Sequence, residues 1–93
     1  MKKDLIMIID DVFYITGRGV VVSGQVLNEK IEVGQKVIVD PEYLPEFESE
    51  ITGIETFLKR KNFKIAHQND IVAIILRGVE KNKVKKKMKI YSL

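Results

Sequence analysis

Short apolar runs, several of them alternating with polar positions, succeed one another along the chain and are cut at short, fairly even intervals by glycine, proline and polar turns. The organising stretch is Val12–Val26, VFYITGRGVVVSGQV. Val, Ile, Thr, Tyr and Phe fit a pleated surface, so it predicts two strands, Val12–Thr16 and Val20–Val26. Gly17-Arg18-Gly19 lies between them, and its glycines supply the positive-φ positions that a tight reversal needs. A phosphate cradle also uses Gly-x-Gly, but it wants a helix after the strand and none follows. Gly24 interrupts the second run, as glycine does at a bulge or a close backbone approach.

Around this hairpin the pattern predicts further strands. Leu5–Ile9 opens the chain and leads into Asp10-Asp11; adjacent strand residues point to opposite faces, so this pair reads as a connecting turn rather than a metal or acid/base site. Asn28-Glu29-Lys30 is a polar turn, and Ile31–Val39 gives a short excursion, a turn at Gly34 and another strand. Asp40–Phe47 holds both prolines and reads as a loop, because proline in a strand loses a ladder hydrogen bond. Its Tyr43, Leu44 and Phe47 either cap a barrel end or present an apolar patch to a protein partner.

Glu48–Leu58 predicts a long strand bent at Gly53, with Ile51, Gly53, Glu55 and Phe57 on one face and Thr52, Ile54, Thr56 and Leu58 on the other. Lys59, Arg60 and Lys61, with Phe63 and Lys64, form a basic loop around an aromatic, a composition that suits a phosphate backbone or a solvated turn. Ala66–Asp70 reads as a turn with Asn69 left-handed, Ile71–Leu76 as a buried strand, and Val84, Met88, Ile90 and Leu93 as marks of a last strand. Six or so short strands without a long helix predict an all-β fold, a small closed antiparallel β-barrel forming one domain over residues 1–93. Closure removes the sheet edges on which such a protein aggregates.

Composition narrows the function. A chain of 93 residues suits a single core that buries well over half of its unfolded surface. The chain has no cysteine, which excludes disulfides, thiolate metal sites and thiol nucleophiles. The lone histidine, His67, has no ligand partners at metal spacing, so neither a metal nor another cofactor is expected. No apolar run near the start is long enough for a secretory core or a span, so the chain is expected to be cytoplasmic and without a membrane partner. The net charge of +3 hides an asymmetry: five Lys/Arg against ten Asp/Glu in residues 1–50, eleven against three in residues 51–93. Six of the cations fall between Lys81 and Lys89. Such a run is either a solvated edge or a face for an anionic partner.

DVFYITGRGVVVSGQV, IEVGQKV, ITGIETF and IVAIILRGV, in this order and spacing, resemble the second domain of the translational GTPases, elongation factor Tu above all, over about residues 5–91. The resemblance implies a six-stranded β-barrel that helps hold the 3′ end of aminoacyl-tRNA. By position, Ile15, Val21, Glu55 and Ile75 would form the pocket for the terminal adenosine. Apolar side chains grip a base, and a carboxylate accepts a hydrogen bond from a ribose hydroxyl. Read without the resemblance, Glu55 is equally a strand glutamate whose carboxylate reaches solvent at the barrel rim. Ile71 stands where the family has an asparagine beside the aminoacyl group, Asn69 and Ala73 where it has glycines, and Leu58 where it has a cation. Arg18 matches the family's hairpin arginine. No G-x-x-x-x-G-K-[ST] motif is present, so no GTP binding is expected.

Two functions are expected in consequence. The first is a noncatalytic RNA-binding module directed at a tRNA 3′ end or ribosomal RNA, with Lys59, Arg60, Lys61, Lys64, Lys85, Lys86 and Lys87 on phosphates. The alternative is a protein-interaction or regulatory module that docks on a GTPase or other translation partner through Tyr43, Leu44 and Phe47. An enzyme is not expected, for want of a nucleophile–base pairing or a phosphate loop.

Overall fold

In a computed structural model, which describes residues 2–56 and 62–93, the Gly17–Gly19 reversal joins strands β2 (Asp11–Ile15) and β3 (Gly19–Gln25). Gly17 and Gly19 take φ of 86° and 99°, and Arg18 N–H donates to Ile15 O at 2.9 Å. The remaining strands are β1 (Leu5–Ile8), β4 (Lys30–Glu32), β5 (Lys36–Asp40), β6 (Phe47–Glu55), β7 (Asn62–Phe63), β8 (Ile65–His67), β9 (Ile71–Leu76) and β10 (Lys89–Ser92). A 3-10 turn, Lys81–Lys83, is the one helical element among the described residues.

The main sheet runs β1-β10-β5-β6-β9-β3-β2, with β7 beside β6; β4 and β8 form a separate pair. All pairings are antiparallel, and the sheet curls into a half-barrel. Strand β6 turns the corner: Phe47–Glu50 pair with β5, whereas Ile51–Glu55 pair with β9. The register slips there, because Ile51 faces Leu76 while Gly53 already faces Ile75.

Register explains the core. Val12, Val22, Ile74, Ile54 and Phe63 stand opposite one another in a row across β2, β3, β9, β6 and β7. Val22, Ile74 and Ile54 are buried, and Val12 and Phe63 pack against them from the ends. Ile6, Ile9, Val37, Val39 and Ile90 fill the other half of the curl. Each fully buried Val or Ile contributes about 1.5–3 kcal/mol, so truncating Ile74 to alanine costs roughly 2–5 kcal/mol.

Three expectations are corrected. Ten strands are described, not about six: Lys30–Glu32 and Ile65–His67 pair with each other where a polar turn with a short excursion and a later turn were expected, and Asn62–Phe63 pairs with β6 within the expected basic loop. The slip in β6 turns Ile51 and Ile54 both inward, so simple alternation fails there. Ile71 is 63% exposed, so only Val72–Ile74 and Leu76 of its strand are buried. Phe57 and Leu58 lie outside the described residues.

Gly24 does mark a close approach: a Cβ there would lie 2.7 Å from Ile8 O and 2.8 Å from Met7 Cγ. At Gly53 a Cβ would meet only the tip of Ile75, Cδ1 at 2.8 Å. Backbone cannot yield as a half-exposed side-chain tip can. Gly24→Ala is therefore expected to cost about 2–3 kcal/mol and Gly53→Ala less than about 1 kcal/mol in urea unfolding. Equal losses would contradict the account.

Candidate nucleic-acid interface

The outer face of β2, β3, β9 and β6 carries two transverse rows. One runs Phe13–Val21–Ile75–Gly53, the other Asp11–Ser23–Ala73–Glu55. Neighbouring strands are about 4.8 Å apart, so Asp11 and Glu55 stand roughly 14 Å from each other across the sheet. Ile75 lays its side chain over Gly53, making a flat apolar shelf beside Glu55.

A shallow cleft of about 510 Å³ opens over this shelf. Glu55, Ile75 and Phe63 line it together with Thr52, Lys64 and the tip of the β2–β3 hairpin. Arg18 reaches from that tip across β9, and its Nη1 ion-pairs with Glu55 Oε1. Both side chains are partly exposed, 48% and 29%. The carboxylate is therefore held at the cleft by a cation through Oε1.

Of the four pocket residues expected, the structure brings Glu55 and Ile75 into one cleft. Val21 is 4% exposed and packs between Phe13 and Ile75 rather than forming a wall. Ile15 is 39% exposed at the end of β2 and does not line the cleft. Arg18, the expected hairpin arginine, and Phe63, the aromatic of the expected basic loop, also line the cleft; the hairpin register brings Arg18 there and the β6–β7 pairing brings Phe63. Asn69 takes φ of 75°, the conformation a glycine would supply, and Ala73 is 6% exposed in the row that ends at Glu55.

The cations form two groups. Lys64 lines the cleft, while Lys59, Arg60 and Lys61 lie outside the described residues. Lys85, Lys86 and Lys87 form an exposed loop at the opposite side of the outer face. Lys87 N–H donates to Ile9 O at 2.7 Å, and Ile9 N–H to Met88 O at 2.9 Å, so the loop is pinned to the end of β1. Lys86 Nζ sits 4.0 Å from Asp11 Oδ1. Basic groups thus stand at both ends of the Asp11–Glu55 row.

No protein-family model matches the chain. Among the described residues no helix is long and apolar enough to cross a membrane.

Tyr43 and Leu44 are 92% and 61% exposed, so they cap nothing; Phe47 alone packs onto the core. Their loop is tied down by Lys2, whose Nζ reaches Asp40 Oδ2 and Glu46 Oε2, each at 3.1 Å. The Glu42 N–H donating to Asp40 Oδ1, then Lys2, hold the Asp40 carboxyl below the ordinary carboxylate range. Asp40 and Glu46 in turn hold the Lys2 ammonium above the ordinary lysine range.

The signs fix the pH windows. A lowered carboxyl restrains its loop above the ordinary carboxylate range and releases it as pH falls through the lowered value. The raised Lys2 contributes below the ordinary lysine range and is lost as pH rises through its raised value. The Glu42 amide resonance is therefore expected to titrate below the usual aspartate midpoint in an NMR pH series, and Lys2→Ala to move that midpoint up. A midpoint unmoved by Lys2→Ala would remove the tether. For the exposed Arg18–Glu55 pair, a double-mutant cycle in urea is expected to give a coupling of about 0.2–1 kcal/mol.

Proposed function

We propose that this protein is a noncatalytic, cytoplasmic RNA-binding module, related to the second-domain barrel of elongation factor Tu, that holds the terminal nucleotide of a tRNA or ribosomal RNA. The observation that carries the reading is the cleft where Glu55 and Ile75 stand together, flanked by Phe63, Arg18 and Lys64. Ile75 and Phe63 offer apolar surface to a base, and the second carboxylate oxygen of Glu55 offers an acceptor to a ribose hydroxyl, which distinguishes RNA from DNA at the 2′ position. Lys64 at the cleft and Lys85–Lys87 beyond the opposite edge give phosphates a cation at either end of the face.

We also read the curled sheet as a closed six-stranded barrel with short additional pairings. Support comes from the backbone bonds that bridge its open side: Leu27 N–H donates to Ile6 O at 2.9 Å and Asp10 N–H to Ser23 O at 2.8 Å.

The test is a titration against total tRNA, charged and uncharged, at several salt concentrations. Reversing Lys85, Lys86 and Lys87 to glutamate is expected to flatten the slope of log K against log salt by about 2, as three single-strand phosphate contacts would. Glu55→Ala is expected to weaken binding about tenfold or more, and to abolish any preference for a 3′-terminal ribose over 2′-deoxyribose. Undetectable binding at low salt would overturn the reading. Loss through the lysines alone would reduce it to a nonspecific polyanion contact.

A further inference from the structure

A second depression, of about 480 Å³, lies at the other end of β6, where Phe47 and Glu48 border it. The extended run of that strand from Glu48 to Glu55 sets it about 20 Å from the cleft. Pro41 is buried in its floor, half-buried Phe47 and Val79 continue the floor, and Leu44 and Pro45 form an exposed wall. Gly78 faces them with φ of 67° and no atom within 4 Å of where a Cβ would be, which leaves that side open.

The rim is acidic. Glu46, Glu48 and Glu80 line it, against one lining cation, Lys83. Glu46 is shared with Lys2, but among the described residues neither Glu48 nor Glu80 has an ion-pair partner. An apolar floor under a rim where carboxylates outnumber cations disfavours an RNA strand and an anionic membrane alike, and complements a polypeptide that is both cationic and apolar.

We propose that this groove docks a lysine- and arginine-rich segment of another protein that carries one bulky apolar side chain. The apolar residue lies on Pro41, Phe47 and Val79 against Leu44, and the flanking cations meet Glu46, Glu48 and Glu80. The docking site and the RNA cleft stand at opposite ends of one strand, so neither reading depends on the other.

A labelled nonapeptide of Lys and Arg with a central Leu serves as the probe, read by fluorescence anisotropy and by amide shifts of the full chain. Binding is expected to perturb Leu44, Gly78 and Val79, to weaken as salt rises, and to fall at least threefold when the central Leu is replaced by Ser. Changing Glu46, Glu48 and Glu80 together to Gln is expected to weaken it about tenfold while leaving tRNA binding unaltered. Should the triple variant fail to fold, Glu48→Gln and Glu80→Gln singly carry the same test with smaller losses. Shifts centred on Asp10 and Asp11, or equal affinity for the Gln variants, would overturn the proposal. So would a dimer in sedimentation that Leu44→Ser dissolves, since the groove would then belong to a second copy of this chain.

Discussion

Between Ile51 and Gly53 strand β6 advances two residues while β9 advances one, from Leu76 to Ile75. On an unbroken strand Ile51, Gly53 and Glu55 would share a face, and with Ile51 in the core the Glu55 carboxylate would be driven in after it. An unpaired buried carboxylate costs several kcal/mol, so that register is not viable. The extra residue reverses the alternation, sends Ile54 inward and returns Glu55 to the outer face. Ile51 N–H still donates to Gln35 O, and Ile51 O still accepts from Gly34 N–H, so both backbone groups of Ile51 stay paired at the slip. The same slip is where β6 leaves β5 for β9 and the sheet turns its corner. Curl, core and cleft all hang on it.

The corner also separates charge. Glu46, Glu48 and Glu80 gather at the start of β6, Arg18 and Lys64 at its end. This polarity is not a copy of the chain's two halves. Glu80 comes from the basic half and sits at the acidic end; Arg18 comes from the acidic half and sits at the basic end. Hairpin β2–β3 and the turn after β9 carry each across. A field so divided favours partners of opposite sign at the two ends, and screens each from the other beyond about 8–10 Å in physiological salt.

Much of the fold was legible because it rests on local signals. Gly17 and Gly19 fix the hairpin, Asn69 takes its left-handed turn, and the apolar run Val72–Ile74 is buried, each determined by neighbours in sequence. The β4–β8 pair escaped notice because Lys30–Glu32 and Ile65–His67 are too short to show a period, and their partners are far apart along the chain. Gly53 marked the bend in β6, but because glycine fits either face it did not show that the alternation reverses there. In the candidate site, Glu55 and Ile75 were foreseen, from a resemblance and from a lone carboxylate among apolar residues. Arg18 matches the family's hairpin arginine, but its pairing with Glu55 was not legible, since nothing in a turn arginine's surroundings says which carboxylate it will meet. Tyr43 and Leu44 show the limit of composition: aromatic and aliphatic residues in a loop read equally as a cap or as an exposed patch, and only the structure, with both side chains exposed and Glu42 at φ of 69°, sets the cap aside.

The Arg18–Glu55 pair sets the terms on which the cleft can work. Held between exposed side chains, it is worth about 0.2–1 kcal/mol, less than the roughly 1.5–3 kcal/mol of a hydrogen bond to a charged group. It can therefore orient the carboxylate without outcompeting a ligand for it. A stronger, buried pair would lock the cleft; an unpaired Glu55 would sample several rotamers and lose entropy on meeting a hydroxyl. Under the proposed RNA reading, Arg18, on a hairpin tip whose glycines at 17 and 19 accept positive φ, would also offer a guanidinium to a phosphate next to the held nucleotide. A carboxylate offered to an anionic polymer needs such a cation beside it, because its own charge would otherwise repel that polymer.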